Sequence, residues 1–282
     1  LQYHIIPHRH SALLKKCVYD IYEINSPTQS YDYYAAPNGI IGLSVNLSGT
    51  SSSLIDRVWK TNANTLIFGM ITKPYRIKTS VRFREIAIGF KPYFFQLMVK
   101  ESMCNLSSGA MTNAYDLFNK DLLDRYTERL NNSHSNSDII SAIEDLLRKL
   151  INPDKIDQRL LTASELIYNN QITRVDSLSK ILNVSTVSIR NMFNQNIGLT
   201  PKKMIQTIRI YNALKQYDSS KNNLTQFAYN SGYFDQAHFI RDFKIAMGLT
   251  PKQYFSNEAL TFDFYNFGRW NSNTFEAHNT QK

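Results

Sequence analysis

Between Gly39 and Phe90 the apolar residues fall in short, dense runs. Gly39–Leu47, Thr65–Ile71 and Tyr75–Phe90 are rich in Ile, Val, Phe, Tyr and Thr, with Gly, Pro, Asn and Ser between them. Runs of this length and composition predict strands, and their density predicts a small barrel or sandwich. Within the last run, Arg82–Ile88 passes from partial alternation into continuous apolar sequence. The period changes after that. Pro92–Lys100 predicts a helix or turn. Leu117, Leu122, Leu123, Tyr126 and Leu130 then recur near helical spacing, as do Ile139, Ile140, Ile143, Leu146, Leu147 and Leu150. They predict two amphipathic helices, 117–130 and 137–151, separated by the turn Asn131–Asn136. Such a pair can pack within its own domain, cap the β-region or build a homodimer interface through residues 117–151. Asn152-Pro153-Asp154 is a breaker and the expected domain boundary, giving a β-rich unit over 1–153 and a helical unit over 154–257. The tail 258–282 carries Phe262, Phe264, Tyr265, Phe267 and Trp270, an aromatic content that predicts packing against something.

The helical unit contains a repeat. Gly-Leu-Thr-Pro-Lys occurs at Gly198–Lys202 and again at Gly248–Lys252, an offset of fifty residues that also relates Phe193 to Phe243, Ile189 to Phe239, Ser185 to Asp235 and Leu178 to Ala228. A fixed offset means one supersecondary unit used twice. In the first copy, Val175–Leu182 predicts a short helix, Asn183-Val184 a turn, and Ser185 an N-cap for a second helix running to about Gln195 with Ile189, Met192 and Phe193 inward. In the second copy, Leu224–Asn230 is the first helix, Ser231-Gly232-Tyr233 the turn, with Gly232 free to take a positive φ. Asp235 caps a helix carrying Phe239, Ile240 and Phe243. Helix, tight turn and capped helix are the parts of a helix-turn-helix. Thr200-Pro201 and Thr250-Pro251 predict further helix starts. The helix after Pro201 should run to about Tyr217, a rod of ~25 Å. It can hold two recognition helices about one DNA turn apart, ~34 Å.

Helical phase places Thr186, Val187, Arg190, Asn191 and Gln195 away from the core of the first unit. Arg190 suits bidentate bonding to guanine, Asn191 to adenine, and Val187 contact with a thymine methyl. The second unit offers Gln236, Ala237, His238, Ile240, Arg241 and Lys244. Of these, Gln236 and Arg241 suit base edges, whereas His238 and Lys244 lie nearer phosphate. Lys202, Lys203 and Lys252 stand at helix starts and can steer phosphates together with the backbone N–H groups there. For any single residue the bland alternative is an ordinary exposed helix position.

Charge sharpens this picture. The net formal charge is +9, of which residues 155–258 supply +6 from thirteen Lys/Arg against seven Asp/Glu. A basic helical unit suits a polyanion, double-stranded DNA above all. Other chemistries find little support. No GxSxG, Walker or Rossmann pattern occurs, so no enzyme and no cofactor is expected. His4, His8 and His10 lack a Cys or carboxylate to complete a metal site, and none is expected. Cys17 and Cys104 form no CxxC, which fits a reducing cytoplasm. No apolar run is long enough for a membrane span, and Leu1–His10 has no apolar stretch of signal-peptide type. Tyr31, Tyr33, Tyr34, Phe68, Tyr75, Phe90, Tyr93 and Phe94 can line a ligand pocket or simply form core.

Residues 175–255 resemble the DNA-binding domain of AraC-type (AraC/XylS) bacterial transcriptional regulators. Leu178, Ser185, Ile189, Phe193, Gly198, Pro201, Arg209, Ala213, Ala228, Gly232, Phe239, Phe243, Gly248 and Pro251 carry the resemblance. Tyr229 with Asn230, and Tyr233, depart from the family's usual residues. Pro37–Gly49 and Ile88–Pro92 resemble, more weakly, the β-rich N-terminal domain of some such regulators. The resemblance implies an α+β chain of two domains. The first is a β-rich, barrel- or cupin-like unit with a helical pair. The second is an all-α unit with two helix-turn-helix units joined by a long helix. It also implies a cytoplasmic activator that works with RNA polymerase, whose N-terminal domain binds a small-molecule effector, dimerises, or both. An effector-independent regulator with a protein-interaction module, and an enzyme fused to a DNA-reading unit, are the rival readings.

Overall fold

The computed structural model describes residues 1–256 apart from 9, 36, 56, 71, 101, 102, 104–110, 153, 155 and 217–223. The expected boundary residue Pro153, Cys104 and the aromatic tail 258–282 therefore lie outside the described residues. In chain order the first half comprises β1 (Gln2–Ile5), α1 (Ala12–Cys17), β2 (Val18–Ser26), β3 (Tyr31–Ala35), β4 (Ile41–Ser48), β5 (Ser51–Ile55), β6 (Val58–Thr61), β7 (Thr65–Phe68), β8 (Tyr75–Thr79), β9 (Phe83–Phe90), α2 (Pro92–Phe95) and β10 (Met111–Asn113). Helices follow: α3 (Lys120–Asn131), α4 (Asn136–Leu150), α5 (Gln158–Tyr168), α6 (Val175–Leu182), α7 (Thr186–Asn196), α8 (Pro201–Gln216), α9 (Leu224–Asn230), α10 (Gln236–Met247) and α11 (Pro251–Ser256).

The strands form two antiparallel sheets, one in the order β1-β2-β9-β4-β7-β10 and the other β3-β8-β5-β6. Tyr22, Ile24, Phe68, Phe83 and Ala87 of the first face Tyr33, Ala35 and Ile77 of the second. The other face of the large sheet is covered as well. Ile21, Leu43, Val45, Ile67, Ile86, Ile88 and Phe90 join the buried residues of α2, α3 and α4. Burial on both faces explains why β9 ends as a continuous apolar run instead of alternating. The apolar faces of α3 and α4 are used up in this core, through Leu123, Tyr126, Leu130, Ile139, Ile143 and Leu147. Core packing is thus the use these faces serve. A homodimer through residues 117–151 would have to rest on exposed polar flanks such as Arg129 and Asp145, which pair with each other.

One acid stands on the inward-facing row of β9. Glu85 shares that row with Phe83 and Ala87, opposite Ile24 of β2 and Asn46 of β4. Burial pushes its carboxyl up to about 7, against a hydrogen bond from Ser44 that pulls it down. Its proton is therefore held more tightly in the folded chain than in the unfolded one. The stability this contributes is complete below the ordinary carboxylate value of 4.5 and is lost as pH rises through about 7. Glu85→Gln is expected to flatten this dependence and to add on the order of 1–3 kcal/mol at alkaline pH. Denaturant titrations of both proteins from acid to mildly alkaline pH measure it; parallel curves would contradict the assignment.

The first half also touches the helical half directly. Gly39, at φ +66, is the residue where the β3–β4 loop meets α8: a Cβ there would lie 2.5 Å from Ile208 Cδ1. The Tyr168 hydroxyl of α5 donates to the Gly39 carbonyl. Tyr19 of β2 packs edge-on against Tyr211 of α8, ring centroids 5.8 Å apart.

Candidate nucleic-acid interface

Each reading helix is built by local chemistry that the sequence spells out. In the first unit α6 ends at Asn183, left-handed at φ 51, and the chain reverses. Ser185 accepts a hydrogen bond from the Ser188 N–H at 3.1 Å and starts α7. In the second, Gly232 takes φ +77 in the turn after α9. Asp235 then accepts from the His238 N–H at 2.7 Å and starts α10. Ile189 and Phe193 of α7, like Phe239 and Phe243 of α10, are fully buried. Burying those positions turns the opposite face of each helix to solvent.

Both units are fixed to α8. From Pro201 to Leu214 only Lys202 is exposed. A helix buried nearly all round is an interior helix, even though α8 carries polar residues such as Gln206, Thr207 and Arg209. Its first half, through Met204, Ile205 and Ile208, belongs to the same core as Ile189, Phe193 and Ile197. Its second half, through Ile210, Ala213 and Leu214, belongs to the core of Phe227, Phe239 and Phe243. Thr200 Oγ1 caps α8 by accepting from the Lys203 N–H at 3.2 Å, and Thr250 does the same for α11. A polar tie adds to the second attachment. The Arg209 guanidinium lies 3.8 Å from the centre of the Tyr233 ring and donates to the Gly232 carbonyl. Buried Asp242 of α10 accepts from Gln206 of α8 at 3.4 Å.

On α7, Thr186, Val187, Arg190, Asn191 and Gln195 are all exposed and share one side of the helix. On α10, Ala237, Arg241 and Lys244 are exposed, and Lys202 and Lys252 stand exposed at the starts of α8 and α11. Among the described residues Arg190, Arg241, Lys244, Lys202 and Lys252 have no acidic partner within ion-pair distance. Gln236 is half-buried and accepts from the Thr225 hydroxyl at 2.9 Å.

Three candidates sit differently from the expectation. Ile240 is partly buried and packs on the second core, so its side chain is not a free reader. His238 turns to Asp242, 3.5 Å away, and to the edge of Tyr233; that pairing was available in the i,i+4 spacing. Lys203 is half-buried, and burial lowers its pKa, with Lys73 of the β7–β8 loop adding to the effect and Asp242 opposing it. Its position at a helix start predicted a free cation, but the fold half-buries it and brings Lys73, 130 residues earlier in the sequence, near enough to repel it. Of the aromatics read as a pocket lining, Tyr33 and Phe68 fill the space between the sheets. Tyr93 and Phe94 instead line a small pocket with Leu160 of α5 and Asn196 at the end of α7. The residue that helical phase passed over is Phe234, which is 87% exposed next to the N-cap of α10.

Residues 178–257 match the family described as helix-turn-helix domain. Over 100 residues the chain is 28% identical to an uncharacterised HTH-type transcriptional regulator of Haemophilus influenzae, covering 35% of this chain and 34% of that protein. It is 25% identical over 150 residues to the DNA-binding dual transcriptional regulator Rns of Escherichia coli, covering 49% of this chain and 55% of Rns. The chain thus spans between a third and about half of these relatives. Among solved structures, ToxT from Vibrio cholerae aligns with 84% of this chain and 96% of its own at 15% identity, with a TM-score of 0.44.

Proposed function

On the premise that residues 178–257 are a helix-turn-helix domain of AraC type, we propose that the chain is a sequence-specific transcriptional regulator that reads two adjacent major-groove segments with α7 and α10. One observation carries this reading. A single buried helix, α8, anchors both capped helices, and the outer face of each keeps an Arg with no acidic partner among the described residues. Arg190 and Asn191 read bases through α7, and Arg241 does so through α10, with Gln236 beside it. Thr186, Val187, Gln195 and Ala237 complete the reading faces. Lys202, Lys244 and Lys252 hold phosphate. Because the two faces differ in sequence, one chain reads a non-palindromic site. The sense of regulation is activation, with RNA polymerase as the partner.

The test begins with selecting a bound duplex from a random pool with the purified chain. Replacing Lys202 and Lys252 together by alanine should then weaken binding to all duplexes alike. It should also reduce the dependence of log affinity on log salt by about 0.9 for each lost phosphate contact. An unchanged salt slope would remove those lysines from the interface.

The β-rich half is the sensor in this reading. What supports it is the seating of the β3–β4 loop on α8, which gives any shift of that loop a direct mechanical route to the helix that spaces the readers. Gly39→Val meets both a φ that disfavours a side chain and a Cβ against Ile208, an expected cost of roughly 2–4 kcal/mol in the seating of the loop. The expected result is that a metabolite altering DNA affinity of the wild-type chain has no such effect on the variant. Unaltered DNA affinity of the wild type across a broad metabolite panel would favour an effector-independent regulator, its first half a protein-interaction module.

A further inference from the structure

We propose that Phe234 is a base-reading residue whose ring meets the 5-methyl edge of a thymine in the major-groove segment entered by α10. This rests on the DNA-reading role of α10 given above and adds to it a specificity-determining contact.

The internal repeat supplies the argument. Fifty residues earlier the corresponding position is Val184, directly before the N-cap Ser185. Val184 is partly buried on the core that holds Ile189, which lies in the first turns of α7. That is the arrangement of a hydrophobic staple, an apolar residue before the cap packing on one inside the helix start. In the second unit the buried counterpart of Ile189 is Phe239. Its partner is Tyr233, however, with ring centroids 5.2 Å apart and planes at 70°. Tyr233 therefore does the packing, and Phe234 has no such task. Its ring is left 87% exposed, more than any other large apolar side chain among the described residues.

Its location selects the partner. The N-terminal end of a recognition helix is the end that reaches base edges. Phe234 stands at that end of α10, ahead of the exposed Ala237, Arg241 and Lys244. A protein surface would need a broad apolar patch, but these neighbours are small or basic, and the large apolar side chain exposed on α10, Ile245, stands in its last turn, far from Phe234. DNA matches both features, offering phosphates to the cations and, in the groove, the methyl of thymine to the ring.

The experiment takes a duplex selected from a random pool by the full chain and replaces its thymines by deoxyuridine one at a time, removing only the methyl. Wild type is expected to lose about fivefold in affinity at one thymine of the segment read by α10, the worth of one methyl-sized apolar contact. Phe234→Ala should bind the parent duplex with that same loss and show no further loss at that thymine, while melting like wild type. Two results would overturn the proposal: a Phe234→Ala protein that binds like wild type, or one that keeps the full deoxyuridine penalty at each position. Should Arg241→Ala relax base preference while Phe234→Ala is silent, this proposal falls and the reading by α10 stands. Should the wild-type chain select no sequence at all, both fall.

Discussion

Replacing Arg209 by alanine is expected to unfold the second helix-turn-helix unit while the first stays folded. The side chain is only 7% exposed, covers the Tyr233 ring and supplies a donor to the Gly232 carbonyl in the turn between α9 and α10. Removing the cation leaves a turn carbonyl without its charged donor and the Tyr233 ring without its cation–π partner, a loss on the order of 3–5 kcal/mol. The loss should be local, because the first unit is held by Met204, Ile205 and Ile208 in a different core. Native-state hydrogen exchange reads this directly: amides of α9 and α10 lose protection, those of α6 and α7 keep it. Equal loss of protection in both units would show that α8 does not divide its work between two cores.

The second large effect concerns affinity. Arg190→Ala and Arg241→Ala each remove a guanidinium suited to guanine, and each should cost about 1–3 kcal/mol at the selected site. The two arginines sit on different helices with separate cores, so their effects should add, to about 2–6 kcal/mol in the double variant. Base preference should relax at a different position for each. Both side chains are exposed, which leaves melting unchanged. Competition binding with the selected duplex and its single-base variants measures it. Relaxation at one shared position would mean that only one helix reads.

What was legible in the sequence was what local chemistry decides. Ser185, Asp235 and Thr200 name their helix starts, Asn183 and Gly232 their turns, and the fifty-residue offset aligns the two units position by position. The exposed face of α7 follows from helical phase alone, whereas on α10 phase also named Ile240 and His238, which packing turns to the core and to Asp242. Of the small second sheet only β8, within the run Tyr75–Phe90, was legible. Ser51–Ile55 and Val58–Thr61 are short and largely polar, and Arg57 and Arg82 take positive φ in turns where Gly or Asn is the usual signal. Its pairing of Tyr31 with Thr79 also joins distant parts of the chain. The long helix α8 was legible as a rod but not as an interior one, because its burial depends on Gly39, Tyr19 and Tyr168 from far upstream. Lys203 was misplaced for the same reason. Phe234 carried a signal that the repeat alone makes visible: an aromatic where the other copy has a packed Val.

In the function proposed above, one chain carries two unlike readers on one spacer helix. Hydroxyl-radical footprinting of the purified chain on its selected duplex tests it most directly. Two protected segments are expected on one face of the DNA helix, about 10 base pairs apart and unrelated by a two-fold axis. Arg190→Ala should erase one segment and Arg241→Ala the other. A single protected segment, or a palindromic pair that both substitutions weaken equally, would contradict it.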